Sequence, residues 1–335
     1  MSQSDLSIQR KKRGKGFEYF YASGRKVHAK KTLHRLHKLV IPPNWQNVRI
    51  ASEPSSDLQA TGYDAKGRKQ YIYHANWHEK QQVAKFERLS EFGVALPEFR
   101  KFCWEQVRSE DWGPDKTLSL VCLLLDHTGL RIGNRHYTQQ NNTHGLTTLR
   151  RKHLQQDDDH VTLSFVGKHN KPRNVEVEDS ELAELVAQSA QERGYALFRY
   201  EDNAGRWHDV DADDVNQFIH ANLGEAYSCK DFRTWGASRF ALLALPDVRL
   251  KILENSRRSW PATLTSHVAA MLGNTPTVCR QYYLHPNIYQ IVEKENSRDS
   301  VISKMSTILD EYGLSDHSVT ETEKVLGQII TKQST

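Results

Sequence analysis

The chain has 335 residues, of which 26% are charged and 38% hydrophobic, and its formal net charge is +5 at pH 7. This composition fits a folded protein with a charged surface, and the length favours two domains. No apolar run approaches the roughly 20 residues of a membrane helix, and the N-terminus lacks the apolar segment of a secretory signal. The sequence therefore predicts a cytoplasmic protein without a membrane anchor.

Basic residues are concentrated before Asn44, where eleven lysines and arginines are opposed only by Asp5 and Glu18. Such a bias is typical of a surface that binds a polyanion, although basic tails also serve only to keep proteins in solution. The four cysteines stand singly, without the spacing of zinc ligands. We therefore expect reduced thiols, no metal and no cofactor.

Local patterns predict an α+β protein with a small β-rich N-terminal domain and a larger, mainly α-helical domain. We expect residues 1 to about 15 to be flexible, and residues 17–73 to form short strands, including a hairpin that turns at Ala65–Gly67. Apolar residues at helical spacing follow from Ala75 to Arg100. The predicted domains are residues 1–85 and 86–335, with the boundary falling between about 75 and 95.

The second domain alternates helices with one predicted hairpin. A buried helix covers Leu118–Leu125, and the strands VTLSFVG and NVEVE place Lys168 at the tip of the turn between them. Asp211 is a predicted helix N-cap, and the KDFRTWGASRFALLAL helix should end before Pro246. Further signals indicate a short tyrosine-bearing helix that Thr275 caps, Pro276 begins and Pro286 ends, and a helical C-terminal stretch from Asp299 to about Gln333.

Three residue types, found at four positions in this second domain, suggest a reaction at a phosphodiester. A tyrosine can form a covalent phosphoester, guanidinium groups can hold phosphoryl oxygens, and an ammonium can protonate a leaving oxygen. The candidates are Arg131 in LRIGN, Lys168 in FVGKHN, Arg233 in KDFRTWG, and the tyrosine pair Tyr282 and Tyr283 in GNTPTVCRQYYLHP. Each alone is equally compatible with an ordinary surface or core residue, so their meaning depends on their order.

These four blocks, in this order, resemble the signatures of type IB DNA topoisomerases of the small poxviral and bacterial kind. The segments IPPNWQNVRI and QATGYDAKGRKQYIYH also resemble that family's DNA-clamping domain, so the likeness runs from about Val40 to Pro286. The resemblance implies a catalytic domain of the tyrosine recombinase/topoisomerase IB type. It implies Tyr283 as nucleophile, with Tyr282 as the competitor, Arg131 and Arg233 as phosphoryl-binding residues, and Lys168 as general acid.

Asn274 departs from the viral pattern, in which a histidine stands in the GNTP block. An asparagine can donate a hydrogen bond to a nonbridging oxygen but cannot exchange a proton at neutral pH. Bacterial-type members resemble this chain here, so the resemblance implies a neutral donor rather than an inactive enzyme. His267 and His285 lie nearby in sequence but not at the motif position, and we expect structural or surface roles for them.

DNA contacts are predicted on the small domain's hairpin, where basic side chains could meet phosphates and polar or aromatic ones could touch base edges. The candidates are Lys66, Arg68, Lys69, Gln70 and Tyr71. Tyr137 matches a phosphate-contacting position of the family. The alternative is that the basic side chains of this hairpin are only exposed to solvent and contact no DNA.

The sequence as a whole predicts a bacterial type IB topoisomerase, active as a monomer on duplex DNA, nucleoid-associated, and without an obligate protein partner. It would nick one strand, let the DNA swivel to relax supercoils of either sign, and religate without ATP or metal. Two alternatives remain. A tyrosine recombinase usually carries histidine three residues before its second arginine, where this chain has Lys230. A binding-only protein with a decayed site would be supported mainly by Asn274.

Overall fold

The computed structural model describes residues 6–14, 16–157 and 160–331; for His78, Glu79 and Tyr137 it describes the backbone alone. The described residues form two compact units, divided in sequence between Lys85 and Phe86. Each unit encloses its own cluster of buried apolar side chains.

The smaller unit is a five-stranded antiparallel sheet with one helix. Its elements are β1 (Ile8–Arg13), β2 (Gly16–Tyr21), α1 (Lys30–Lys38), β3 (Gln46–Ile50), β4 (Leu58–Tyr63) and β5 (Lys69–Tyr73). The strand order is β2-β1-β3-β4-β5, so β1 lies between β2 and β3. Ile8, Ile50 and Leu36 are fully or almost fully buried in its core.

The N-terminal segment differs from its prediction. Flexibility was expected for residues 1 to about 15, of which residues 1–5 and 15 lie outside the described residues. Within the described part, β1 pairs along its whole length with β2, from Ile8 opposite Tyr21 to Arg13 opposite Gly16. The charge run suggested disorder, whereas burial of Ile8 and backbone pairing on both edges of β1 stabilise a strand. The Arg10 guanidinium is itself used internally, donating to the carbonyl oxygens of residues 41, 42 and 45 at 2.9–3.0 Å.

The hairpin predicted to turn at residues 65–67 is confirmed as β4 and β5. Helix α1 was not predicted. It is short and basic, and only Leu36 among its residues is buried, so its apolar stripe is too narrow to stand out from the surrounding polar sequence.

The larger unit is mainly helical. Its helices are α2 (Ala75–Val107, which begins before the boundary), α3 (Pro114–Thr128), α4 (Arg135–Asn141), α5 (Ser180–Ser189), α6 (Ala212–Asn222), α7 (Cys229–Leu243), α8 (Leu245–Glu254), α9 (Trp260–Leu272), α10 (Pro276–Tyr282), α11 (Pro286–Glu293), α12 (Glu295–Tyr312) and α13 (Asp316–Thr331). A three-stranded antiparallel sheet holds β6 (Leu154–Asp157), β7 (His160–Gly167) and β8 (Lys171–Val177) in that order, and β9 (Arg199–Glu201) pairs with β10 (Trp207–Asp209).

Helix α7 lies at the centre of this unit and packs against α3, α9 and α13. The middle of α3 is buried on every side, which explains its unbroken apolar run. Because α3 and α9 both end beside α7, the short segments that follow their last turns lie close together. These segments contain candidate site residues from the sequence motifs.

Most predicted helix ends are confirmed. Asp211 and Thr275 cap α6 and α10 through side-chain hydrogen bonds to backbone N–H groups, and α7 ends before Pro246. The C-terminal stretch begins earlier than predicted, at Glu295, and is divided, because Gly313 in a positive-φ conformation ends α12 ahead of α13. Its predicted end near Gln333 lies outside the described residues. None of the described helices is sufficiently long and apolar to traverse a bilayer.

Candidate active site

The candidate site is built around the last turn of α9. Gly273 closes this helix in the left-handed conformation, with φ of 63°, and the Asn274 N–H donates to the Ala269 carbonyl at 2.8 Å. A side chain at Gly273 would be strained by that φ, and its Cβ would lie 2.7 Å from an Arg173 nitrogen. The glycine of the GNTP block is therefore required by both backbone conformation and space.

Arg131 follows the end of α3, which Gly129 closes with φ of 59°. Its Nη2 donates to the Gly273 carbonyl at 3.2 Å and to the Asn274 side-chain oxygen. Burial lowers the pKa of the Arg131 guanidinium, and the nearby Tyr283 opposes that shift. Arg131 thus joins the end of α3 to the loop after α9.

Arg233 lies on α7, and only 4% of its surface is exposed. Its Nη1 donates to the Gly129 carbonyl and its Nη2 to the Leu272 carbonyl, the latter at 3.2 Å. Burial lowers its pKa to about 10, Tyr283 opposes the shift, and the charge of Arg131 adds to it. A guanidinium at this pKa is still protonated at neutral pH, so the site holds two positive charges, that of the buried Arg233 and that of the half-buried Arg131.

Tyr283 follows directly after α10, and its ring centre lies 5.2 Å from the Arg233 guanidinium carbon. Its N–H donates to the Cys279 carbonyl at 3.0 Å, and its ring packs partly buried against the core. Tyr282, the last residue of α10, has a side chain that is 40% exposed. The structure therefore brings Tyr283 together with Arg233.

Asn274 is 7% exposed, and its amide orientation follows from its neighbour. A guanidinium only donates hydrogen bonds, so the amide oxygen must face Arg131. The amide nitrogen Nδ2 is then buried without a hydrogen-bond partner among residues 6–14, 16–157 and 160–331. A buried unpaired donor is costly, and here it lies next to two arginines, where an anion would satisfy it.

Lys168 lies at the tip of the β7–β8 hairpin and is exposed. The turn places His169 and Asn170 at positive φ, 64° and 55°. No hydrogen bond joins Lys168 to the arginines, Asn274 or Tyr283 within the described part of the chain. The hairpin was predicted correctly, and Lys168 is exposed at its tip.

The β4–β5 hairpin carries the predicted DNA contacts of the smaller unit. Lys66, Lys69 and Tyr71 are exposed there. Arg68 and Gln70 instead donate to the Asp64 carboxylate, at 2.8 and 3.1 Å. The Arg68 hydrogen bond is the largest influence on Asp64 and helps lower the pKa of that carboxyl. Tyr137 lies on α4, and its side chain is outside the described residues.

Arg173, a third arginine beside the α9 terminus, was not predicted from the sequence. Arg173 projects from β8 and donates to the Ala270 and Met271 carbonyls at 2.9 and 2.5 Å. A signal was present, because residues 173, 175 and 177 alternate with exposed neighbours and form the inward face of β8. An arginine on the inward face of a strand is uncommon and marks a specific partner.

A buried ionic network next to the site was also not predicted from the sequence. The carboxylates of Asp126 and Glu323 are shared by the guanidinium groups of Arg100 and Arg239. The Trp235 ring nitrogen also donates to Glu323, at 2.7 Å. This network joins α2, α3, α7 and α13. Asp126 was the available signal, since it interrupts the apolar run of α3 three residues before Gly129.

No group of three or more His, Cys, Asp or Glu residues among those described could hold a metal ion. The site offers a ligand one buried and one half-buried guanidinium group, an unpaired amide donor, and a tyrosine ring that packs against the buried guanidinium. That set suits a phosphoryl group near a tyrosine.

Comparison with known proteins places this geometry in a family. Residues 74–309 match the family model of the eukaryotic DNA topoisomerase I catalytic core, and residues 16–64 match that of the bacterial DNA topoisomerase IB N-terminal domain. DNA topoisomerase 1B of Acanthamoeba polyphaga mimivirus is 28% identical over 318 residues, which is 91% of this chain and 95% of the viral protein. DNA topoisomerase 1B of vaccinia virus (strain Copenhagen) is 24% identical over 298 residues, 85% of each chain.

The fold and the site therefore define an enzyme of DNA topology, an isomerase. Since the catalytic-core model covers well over half of the chain, the protein belongs to the type IB DNA topoisomerase family. The predicted architecture, a small β-rich region followed by a larger helical part, is confirmed with it.

Proposed function

We propose that this topoisomerase relaxes positively and negatively supercoiled duplex DNA through a 3′-phosphotyrosyl intermediate on Tyr283, without ATP or a metal ion. The observation that carries the proposal is the Tyr283 ring 5.2 Å from the buried Arg233 guanidinium, which binds the same helix terminus as Arg131. A nucleophile and two fixed positive charges thus occupy one site.

In the cleavage step, the phenolic oxygen of Tyr283 bonds to the phosphorus atom and its proton passes to water. The bond from phosphorus to the 5′ oxygen breaks, and Lys168 gives that oxygen a proton. Religation reverses both transfers. Because the ester on Tyr283 retains the free energy of the broken phosphodiester, rejoining the strand requires no ATP.

Arg131 and Arg233 would stabilise the extra negative charge of the pentacoordinate transition state. Both are already fixed by backbone carbonyls, and Arg233 is also withdrawn from water, so little reorganisation accompanies the reaction. Losing one preorganised donor of this kind typically costs roughly 3–4 kcal/mol, a factor of hundreds in rate.

Asn274 would add a neutral hydrogen bond from Nδ2 to a nonbridging oxygen. The unpaired state of that nitrogen supports this role, as does the Arg131 contact that fixes the amide orientation. Lys168 would act from the exposed hairpin tip, which must approach the 5′ oxygen once DNA is bound.

We further propose that residues 1–85 and 86–335 act as the two domains of a DNA clamp, and that the enzyme works as a monomer in the bacterial nucleoid. Basic and polar residues of the β4–β5 hairpin, Lys66, Arg68, Lys69, Gln70 and Tyr71, would contact DNA, as would Tyr137. Positive charge near phosphates is the general basis of such contacts.

The test is relaxation of supercoiled plasmid in EDTA without ATP, using wild type, Tyr283→Phe and the matched variant Tyr282→Phe. Wild type and Tyr282→Phe should relax the plasmid, while Tyr283→Phe should bind DNA without forming a covalent adduct. An adduct that persists in Tyr283→Phe would move the nucleophile to Tyr282. Failure of wild type to relax DNA that it binds would refute the proposal.

A further inference from the structure

Four successive carbonyl oxygens at the end of α9 accept hydrogen bonds from three arginines. The acceptors and donors, in chain order, are Ala270 and Met271 with Arg173, Leu272 with Arg233, and Gly273 with Arg131. The last carbonyls of a helix lack partners within it and carry partial negative charge. The α9 terminus therefore holds three guanidinium groups together despite their mutual repulsion.

That repulsion also acts on the pKa of Arg173. Burial lowers its pKa, and the charge of Arg131 lowers it further. Arg173 is thus electrostatically part of the same cluster as Arg131. Unlike the other two arginines, it comes from the sheet and not from a helix or a helix end.

Arg173 also belongs to the hairpin that bears Lys168. It pairs with Phe165 across β7 and β8, two residue pairs from the Gly167–Lys171 pair that closes the turn. A Cβ built on Gly167 would lie 3.1 Å from the Cγ atom of Arg173. The aliphatic part of the Arg173 side chain therefore packs against the residue before Lys168. The guanidinium of Arg173 binds α9, while the aliphatic part of its side chain packs against the base of the turn.

We propose that Arg173 is a positioning residue for the reaction, which anchors the base of the Lys168 hairpin to the same carbonyl row that holds Arg131 and Arg233. This inference rests on the proposed function of Lys168. The tip of the hairpin stays exposed and can move, but the base of the hairpin is fixed relative to the phosphoryl-binding arginines. Loss of the anchor should therefore impair delivery of the proton to the 5′ oxygen more than binding of the phosphoryl group.

The experiment compares single-turnover cleavage by wild type, Arg173→Gln and Lys168→Ala on a duplex containing a cleavage site mapped with wild type. Two versions of the duplex differ at the scissile phosphate, one with the normal 5′ oxygen and one with a 5′ bridging sulfur. A thiolate leaves without being protonated, because thiols are far more acidic than alcohols, so the sulfur duplex does not need the general acid.

We expect Arg173→Gln to cut the oxygen duplex about 100-fold more slowly, the size of effect that a misplacement of about 1 Å can produce. On the sulfur duplex it should recover to within a few-fold of wild type, as Lys168→Ala should. Equal loss on both duplexes would overturn the proposal, because Arg173 would then act on the phosphoryl-binding residues. Unchanged cleavage of the oxygen duplex would also overturn it.

Lys171→Gln is the matched control, since Lys171 is exposed on the same hairpin and the substitution removes the same positive charge. Its cleavage rates should stay near wild type on both duplexes. Arg173→Lys retains the charge and can bind one carbonyl, so its rate should lie between those of wild type and Arg173→Gln. Thermal unfolding should show that each variant is folded at the assay temperature.

Hydrogen exchange separates this proposal from the proposed function. In Arg173→Gln the amides at the closed end of the β7–β8 ladder should exchange faster than in wild type, whether or not the enzyme cleaves. If wild type forms no adduct, the proposed function fails while the anchoring role is still measured. Unchanged exchange at this end of the hairpin would overturn the anchoring role itself.

Discussion

The Glu323 carboxylate accepts a hydrogen bond from each terminal nitrogen of the Arg100 guanidinium, both at 2.7 Å. Glu323 also binds Arg239 at 2.8 Å, and it lies on α13, beyond the residues matched by the catalytic-core model. Arg239 and the catalytic candidate Arg233 share helix α7, separated by less than two turns. The C-terminal helix therefore supports the helix that carries the site.

Glu323→Gln should destabilise the protein strongly. The substitution leaves two buried guanidinium groups with one carboxylate, and breaking a buried ion pair on one side typically costs about 3–5 kcal/mol. Urea unfolding measures the loss. Glu321→Gln is the matched control on the same helix, because the ion pairs of Glu321, with Lys324 and His317, lie at the surface. A stability loss no larger than that of the control would contradict an energetic role for the network.

The same carboxylate contributes to the pH dependence of stability. Burial would raise the pKa of Glu323, but its hydrogen bond with Arg100 and the charges of Arg100 and Arg239 hold it below the ordinary value. A carboxyl whose folded pKa is depressed stabilises the protein above its unfolded pKa and loses that contribution as pH falls. Stability should therefore decline below about pH 4.5, and less steeply in Glu323→Gln.

His285 should make stability depend on pH in a higher window. It is 6% exposed and caps α11 by accepting from the Asn287 N–H, and burial lowers its pKa to about 4 against a weaker opposing hydrogen bond to the Phe86 backbone. The unfolded histidine, with a pKa near 6.5, binds the proton more strongly. Its contribution should therefore fall as pH drops from about 6.5 to about 4.

Urea titrations between pH 4 and 7 test this for wild type and His285→Asn, since asparagine also caps helices well. The variant should lose less stability across the window. His160→Asn, at an exposed position in β7, should follow wild type. Parallel curves for all three proteins would show that His285 is not buried in its neutral form.

Asn274→Asp should be more harmful to catalysis than its small change in shape suggests. It replaces the unpaired Nδ2 donor by a second oxygen and brings a negative charge to the proposed phosphoryl position. We expect single-turnover cleavage to fall at least 100-fold, the usual effect of removing one such donor. Asn274→Ala removes the donor without adding charge and should fall less. Equal rates for Asn274→Asp and wild type would exclude a contact between Nδ2 and the phosphate.

DNA affinity should decrease steeply with salt, because phosphate contacts release counterions. If Lys66 and Lys69 each contact a phosphate, replacing either with glutamine should reduce the slope of log K against log salt by about 1. Fluorescence anisotropy on a nonspecific duplex measures the slope. Lys324→Gln, on α13, provides a charge-matched control with an unchanged slope. Unaltered slopes for Lys66→Gln and Lys69→Gln would remove these lysines from the interface.

Local signals predicted the elements around the site well. The Lys168 hairpin follows from alternation and a polar turn, and α10 follows from a threonine cap, a proline and a second proline after the tyrosines. The missed features depend on partners distant in sequence. Arg173 binds carbonyls almost a hundred residues away, and Glu323 meets Arg100 across 223 positions. No local pattern of charge or hydrophobicity encodes such pairings.

The N-terminal strand shows the opposite problem. The basic run of β1 satisfied every compositional sign of a flexible tail, yet one buried isoleucine and pairing with two neighbouring strands are enough to order it. Composition describes what side chains prefer, whereas the backbone pairing that decides this case is independent of the side chains.

The position of Glu323 in the chain has a consequence for biosynthesis. Translation delivers Arg100, Asp126 and Arg239 to the folding protein well before Glu323 leaves the ribosome, so the two arginines share a single carboxylate until α13 docks. Helices α3 and α7 therefore gain the second carboxylate of their ionic network only after α13 has been synthesised and has packed against α7.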